Sequence, residues 1–311
     1  MGRRRVGRRW VALLAAGLAA LLVAGCSGSG GAGDGGGGGG GLRVVATTTQ
    51  VADLAANVGG DRVRVTSLLK PGIDAHDYEP SPADIDAIAH ADLVLENGVG
   101  LERWLGDTIE NSGYDGPVVD TSQGVALRQV GGEPDPHIWQ DPRNALLMAV
   151  NIERGLATAE PAAAASFEAN LTAYSKQLEA LDAEVERQTG SLANRKVVTN
   201  HDAFGYYLDR YHLELVGSVI PSFDTSAELS GRDIRDLVAK VRATRVKAIF
   251  SETSLPPRAA ETIGREAGVR VVVGEDALYG DSLGPPGSDG DTYLKMIRHN
   301  TATIVSNLSG A

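Results

Sequence analysis

The chain has one cysteine in 311 residues, six histidines, four phenylalanines and an aromatic content of 5%. A lone thiol excludes an internal disulfide. Basic side chains are outnumbered, with 29 Lys and Arg against 40 Asp and Glu. Residues 1–41 hold five of the former and one of the latter, so the remainder carries a formal net charge of -15. Such a surface speaks against nucleic acid as a partner, and solubility is enough to explain it. The apolar run from Trp10 to Ala24 is shorter than the roughly 20 residues a spanning helix needs. A His-Glu-x-x-His helix of the metalloprotease type is also missing.

What is present at the start of the chain is an export signal. Arg3, Arg4, Arg5, Arg8 and Arg9 precede the apolar run, which ends in small residues. Leu22-Val23-Ala24-Gly25-Cys26 resembles the lipobox of bacterial lipoproteins, and that resemblance makes Cys26, the sole cysteine, the lipidated first residue after cleavage. The paired arginines leave the Sec and twin-arginine routes both open. Ser27 to Gly41 is almost entirely Gly and Ser and reads as a flexible tether. The expected location is the outer face of the bacterial cell membrane, or the periplasm, with a folded body beginning near Leu42.

That body is long for one core and natural for two lobes. Strand-like runs at Arg43 to Thr48, Val63 to Leu69, Asp92 to Leu95 and Pro117 to Val119 alternate with helical segments at Gln50 to Gly59 and after Ser81-Pro82-Ala83-Asp84. The last of these carries a capping serine, a first-turn proline and a first-turn acid. Phe167, Leu171, Tyr174, Leu178, Leu181 and Val185 then recur at alternating steps of four and three, one apolar stripe on a long helix. Alternation resumes with strands at Lys196 to Thr199, Glu214 to Ile220, Val246 to Phe250 and Val269 to Val273, and helices at Ala203 to Tyr211, Ser226 to Thr244, Pro256 to Ala267 and Thr292 to Leu308. The expectation is an α/β protein with a lobe over 42–155, a connecting helix over 156–190 and a second lobe over 191–311. Ligands of open α/β sheets bind beyond the carboxyl ends of strands, where His201 and Asp281 fall.

Half of the histidines lie in polar, Pro- or Gly-punctuated segments beside carboxylates: Asp74-Ala75-His76-Asp77-Tyr78-Glu79-Pro80, Asp135-Pro136-His137-Ile138-Trp139 and Asn200-His201-Asp202-Ala203-Phe204-Gly205-Tyr206. That is the pattern of an imidazole metal site. His90, His212 and His299 lack such surroundings and read as structural. Glu252, after the strand ending at Phe250, is either a partner that orients a ligand imidazole or a solvated loop acid, and Asp77 and Glu79 divide the same way.

Together with Tyr279-Gly280-Asp281-Ser282-Leu283, Asp291-Thr292-Tyr293 and Asn300, these segments resemble the solute-binding lipoproteins of bacterial ABC importers for zinc and manganese, over about Val44 to Leu308. The resemblance implies two Rossmann-like lobes joined by a rigid backbone helix. It also implies one metal held between the lobes by His76, His137, His201 and Asp281, a permease with its ATPase as partner, and no catalysis. Three neutral imidazoles and one carboxylate suit zinc, whereas manganese prefers more carboxylate and water. Manganese-specific members of the family tend to have a glutamate where this chain has His201. Many zinc importers carry a long His-rich loop before the second ligand, and here Val125 to Pro136 contains no histidine. The cargo expected is therefore zinc, with manganese or mixed use as the alternative, and the expected state is a monomer. A zinc hydrolase competes, since three histidines with an open position activate water, but Asp281 would fill that position. A surface adhesin, the remaining alternative, would function without the three histidines.

Overall fold

The computed structural model describes residues 41–309; the export signal, Cys26 and the tether up to residue 40 lie outside the described residues. Val44, Val45 and Ala46 are buried on strand β1 (Leu42–Ala46), as expected of a strand covered on both faces. Helix α1 (Thr49–Gly59) follows at once, capped by the Thr48 hydroxyl, and leads to β2 (Val63–Ser67). Next come α2 (Pro82–Ala89), β3 (Leu93–Glu96), α3 (Leu105–Ser112) and β4 (Val118–Asp120). The Ser81 side chain caps α2 and Asp84 reciprocates on the Ser81 backbone, a capping box. These four strands form one parallel sheet in the order β2-β1-β3-β4.

A hairpin of β5 (Gln129–Val130) and β6 (Glu133–Pro134) closes the first lobe. Its turn, Gly131-Gly132, has φ of 64° and 93°, left-handed values for which glycine is the default. Then come α4 (Pro142–Ala159) and α5 (Ala164–Gly190). The second lobe contains β7 (Lys196–Thr199), α6 (Gly205–Arg210), β8 (Glu214–Ser218), α7 (Gly231–Thr244), β9 (Ala248–Phe250), α8 (Arg258–Ala267), β10 (Arg270–Val272) and α9 (Tyr293–Ser309). Its sheet is also parallel, in the order β10-β9-β7-β8. Counted from the first strand of each lobe, the two orders are the same, so each sheet has its topological switch point beside its first strand.

Phe167, Tyr174, Leu178, Leu181 and Val185 of the expected stripe are all buried on α5. They belong to one continuous core that reaches Val44 and Leu93 in the first sheet and Val197 and Phe250 in the second. The connecting helix is shorter than 156–190. Pro161 opens a 3-10 turn after Ala159, because a proline ring cannot continue a helix past its own first turn, and α5 starts at Ala164. The helix expected from Ser226 starts instead at Gly231, where Ser230 and Asp233 form a second capping box. No helix among the described residues is long and apolar enough to cross a membrane.

Candidate metal centre

His201 leaves the carboxyl end of β7 at the second sheet's switch point, and Glu252 leaves the carboxyl end of the neighbouring β9. Their side chains meet: His201 Nδ1 lies 2.9 Å from Glu252 Oε2, and the His201 amide donates to Oε1 at 2.9 Å. Both groups are buried, so the carboxylate fixes the ring with Nε2 pointing away from it. The chain then returns along β9, with the Leu278 amide donating to the Ser251 carbonyl and the Thr253 amide to the Leu278 carbonyl. This carries Asp281 to the same sheet end. Gly280 leaves room for the Glu252 carboxylate, since a Cβ there would collide with Glu252 Oε2 and displace it.

The first lobe aims the Asp281 segment. Gly280 O accepts hydrogen bonds from Trp139 Nε1 (3.1 Å), Gln140 Nε2 (3.2 Å) and Gln50 Nε2 (3.4 Å). Asn300 on α9 clamps the preceding residue, accepting from the Tyr279 amide and donating to its carbonyl. Asp281 itself is fully buried and neither carboxylate oxygen has a hydrogen-bond partner among the described residues.

His137 follows the hairpin and opens the turn into α4. Its Nδ1 lies 2.8 Å from Asp135 Oδ1, which also accepts from the His137 amide. Arg128 binds the other Asp135 oxygen and reaches Asp209 on α6, linking the lobes. His76 lies on the loop after β2, its amide donating to Asp74 Oδ1 at 2.9 Å.

Four side chains thus converge, His76, His137, His201 and Asp281, each offering one atom within 4.8 Å of all the others. The Nε2 atoms of His76 and His201 lie 3.1 Å and 3.3 Å from that of His137. Asp281 oxygens lie 3.5 Å from His137, 3.4 Å from His201 and 3.9 Å from His76. A tetrahedron with bonds of about 2.0–2.1 Å has edges of about 3.3–3.4 Å, so His137 and its neighbours are spaced much as donors around one ion, while the His76–Asp281 separation of 3.9 Å is wider.

Electrostatics follow from burial and the carboxylates. Burial lowers His76 to about 4, so it is neutral at pH 7. Burial also disfavours charge on His137, but the hydrogen bond to Asp135 and the negative charge of the facing Asp281 carboxylate outweigh it and push the imidazole up to about 9. His201 is likewise raised despite its burial, by Glu252 and Asp281. Burial works against ionisation of Asp281, yet the facing histidines hold it well below the usual carboxylate range.

Glu252 is therefore bonded to an imidazole and stands outside the quartet, while Asp77 and Glu79 are exposed and take no part. His90 bonds to the Asp86 carbonyl at the end of α2, and His299 to the Ala277 carbonyl. His212 is exposed, with φ of 55° after α6. The roles of Asp135, Arg128, Gln50 and Gln140 were not read from the sequence. Asp135 stands in view two residues before His137, Gln50 and Gln140 act across long sequence separations and leave no local signal, and Arg128 reaches the nearby Asp135 only because the β5–β6 hairpin folds the chain back.

Two parallel α/β lobes with a buried His and Asp cluster between them define a binding protein for a metal ion. Comparison with known proteins makes the class specific. Residues 44–307 match the family described as zinc-uptake complex component A, periplasmic. The chain is 31% identical over 281 residues to the metal ABC transporter substrate-binding lipoprotein ScbA of Streptococcus cristatus, covering 86% of this chain and 89% of that one. It is 31% identical over 277 residues to the manganese-binding lipoprotein MntA of Bacillus subtilis, covering 86% and 90%. Among solved structures it resembles the periplasmic zinc binding protein TroA from Treponema pallidum, with a TM-score of 0.81 and 31% identity over 86% of this chain and 99% of that one. The chain belongs to this family of substrate-binding proteins of metal ABC transporters, which are not enzymes.

Proposed function

We propose that the protein captures zinc outside the cytoplasmic membrane through His76, His137, His201 and Asp281 and delivers it to an ABC permease driven by its ATPase. The observation that carries this reading is the quartet itself, three imidazole nitrogens and a carboxylate that converge within 4.8 Å of one another and lie almost wholly out of water. Asp135 and Glu252 accept the Nδ1 protons of His137 and His201, which leaves each Nε2 lone pair for the ion. Lipidated Cys26 and the Gly-rich tether would keep the body near its permease, as a monomer.

Manganese is the second reading, and one observation favours it. Both oxygens of Asp281 lack hydrogen-bond partners among the described residues and each faces an imidazole, so the carboxylate can bind through both and raise the coordination number above four. Manganese accepts such a site more readily than a strict tetrahedron, although nitrogen-rich donors favour zinc in affinity. The test is calorimetric titration of the metal-stripped body, residues 42–311, with zinc and with manganese, beside the variant His201→Glu. Tight one-to-one zinc binding that shifts toward manganese in the variant supports the zinc reading. Failure to bind either ion tightly overturns both.

A further inference from the structure

A cavity of about 600 Å³ adjoins the quartet, and His76, Val99, Arg103, Pro136, Phe223 and Asp224 contribute to its lining. His76 is the member of the quartet that it reaches. The His76 side chain is 7% exposed, whereas those of His137, His201 and Asp281 are 0% exposed. An ion moving between solvent and the quartet therefore has a route past His76 through this cavity.

One wall of the route is the segment after β8, and it is tied to the opposite lobe. Asp224 Oδ2 pairs with Arg103 Nη1 at 2.9 Å, and the Thr225 hydroxyl donates to Asp74 Oδ2 at 2.6 Å. Between these ties and the quartet, the Phe223 ring lies 6.0 Å from the His137 ring. The segment keeps its own shape, since Asp224 Oδ1 accepts from both the amide and the hydroxyl of Ser226. The facing wall is also fixed. Residues 98–100 have φ of 84°, 58° and 74°, and the buried Glu102 carboxylate accepts from the Asn97 and Gly98 amides and from the Thr47 hydroxyl. Asp74 holds the His76 amide as well, so the Thr225 tie acts on the loop that carries the accessible ligand.

We infer that residues 222–226 form a strap across the ion's route, and that the Arg103–Asp224 and Thr225–Asp74 fastenings set how fast the ion enters and leaves. The inference rests on the proposed quartet being the ion's site. Neither fastening touches a donor atom of the quartet, so loosening one lowers the barrier to passage in both directions and changes the two rates by a larger factor than the dissociation constant.

The test is stopped-flow measurement of zinc release into an excess of chromogenic chelator, and of zinc uptake by stripped protein, in the parent and in Arg103→Ala, Arg103→Lys, Asp224→Asn and Thr225→Val. Arg103 is largely exposed, so its replacement leaves folding intact. Arg103→Ala and Asp224→Asn are expected to speed release and uptake about two- to fivefold, the range of an exposed ion pair. Thr225→Val should speed both about tenfold, as loss of a hydrogen bond to a carboxylate allows. Arg103→Lys should restore the parent's rates. Added salt should accelerate release from the parent and leave Arg103→Ala unmoved, because the screened pair is already gone. Parental rates in Arg103→Ala and Thr225→Val, release from Arg103→Ala that salt accelerates as much as it does the parent's, or faster release without faster uptake would each overturn the strap alone. A parent that takes up no zinc would overturn the site assignment and the strap with it.

Discussion

His137 carries opposing demands: Asp135 and Asp281 favour its protonated form, while a metal needs its Nε2 lone pair. Its value of about 9 lies above the ordinary imidazole value of about 6.5. Protonated His137 therefore stabilises the ion-free fold fully below about pH 6.5, and that contribution fades as pH rises through 9. Zinc affinity runs the other way, rising with pH over the same window, and binding at pH 7 releases protons. Calorimetry in buffers of different ionisation enthalpy should show that release. Glu252→Gln should weaken zinc binding about 10- to 100-fold, since the carboxylate that orients His201 is lost, and competition with a chelator of known affinity measures it. Gly280→Ala should destabilise the fold by about 1–3 kcal/mol in denaturant titration, because its methyl group would collide with Glu252. His76, His137 and His201 were legible because each stands in a short polar motif. Asp281 was marked by its place after a strand and separated from Glu252 only by family pattern. The glycine before it was not legible, because the Glu252 side chain it makes room for comes from another strand end, and the arginine behind Asp135 was not, because only the β5–β6 hairpin folds it back onto that carboxylate.

Elements were legible where apolar periodicity was strong and blurred where capping decides. The stripe from Phe167 to Val185 announced α5, but its start depends on Pro161, which ends one helix and delays the next. For α7, two serines compete as caps. Ser226 is engaged by Asp224, and Ser230 closes the box with Asp233. Ser230→Ala should therefore cost about 1 kcal/mol in chemical denaturation with zinc affinity unchanged. Strand β8 ends at Ser218, two residues short of the apolar run that announced it. From there the chain leaves the sheet toward the residues that wall the ion's route. No local pattern foretold that departure, since the bonds that hold it come from Arg103 and Asp74 in the other lobe.

At the scale of the molecule, the repeated α/β alternation foretold two α/β lobes, and the parallel direction and order of the strands within each came only with the structure. One apolar core passes from the first sheet through α5 to the second, and each lobe adds a smaller cluster of its own, around Val45 and Ile88 in the first and around Val216 and Ile249 in the second, so the two share their largest interior. Thermal unfolding followed by tryptophan fluorescence and by far-ultraviolet circular dichroism should give coincident transitions. Phe167→Ala should lower stability by about 3–5 kcal/mol in both signals alike. Saturating zinc should raise the transition temperature in proportion to the logarithm of its concentration. The Gly280 carbonyl bears on the same unity. Its oxygen belongs to the second lobe, and the indole and two amides that grip it belong to the first. Each half thus owns two of the four donors, yet the aspartate of one half is steered by the other. Fragments cut between α5 and β7 would each be a poor chelator, and metal capture would return only on their reassembly, which makes bound zinc a reporter of the two halves finding each other.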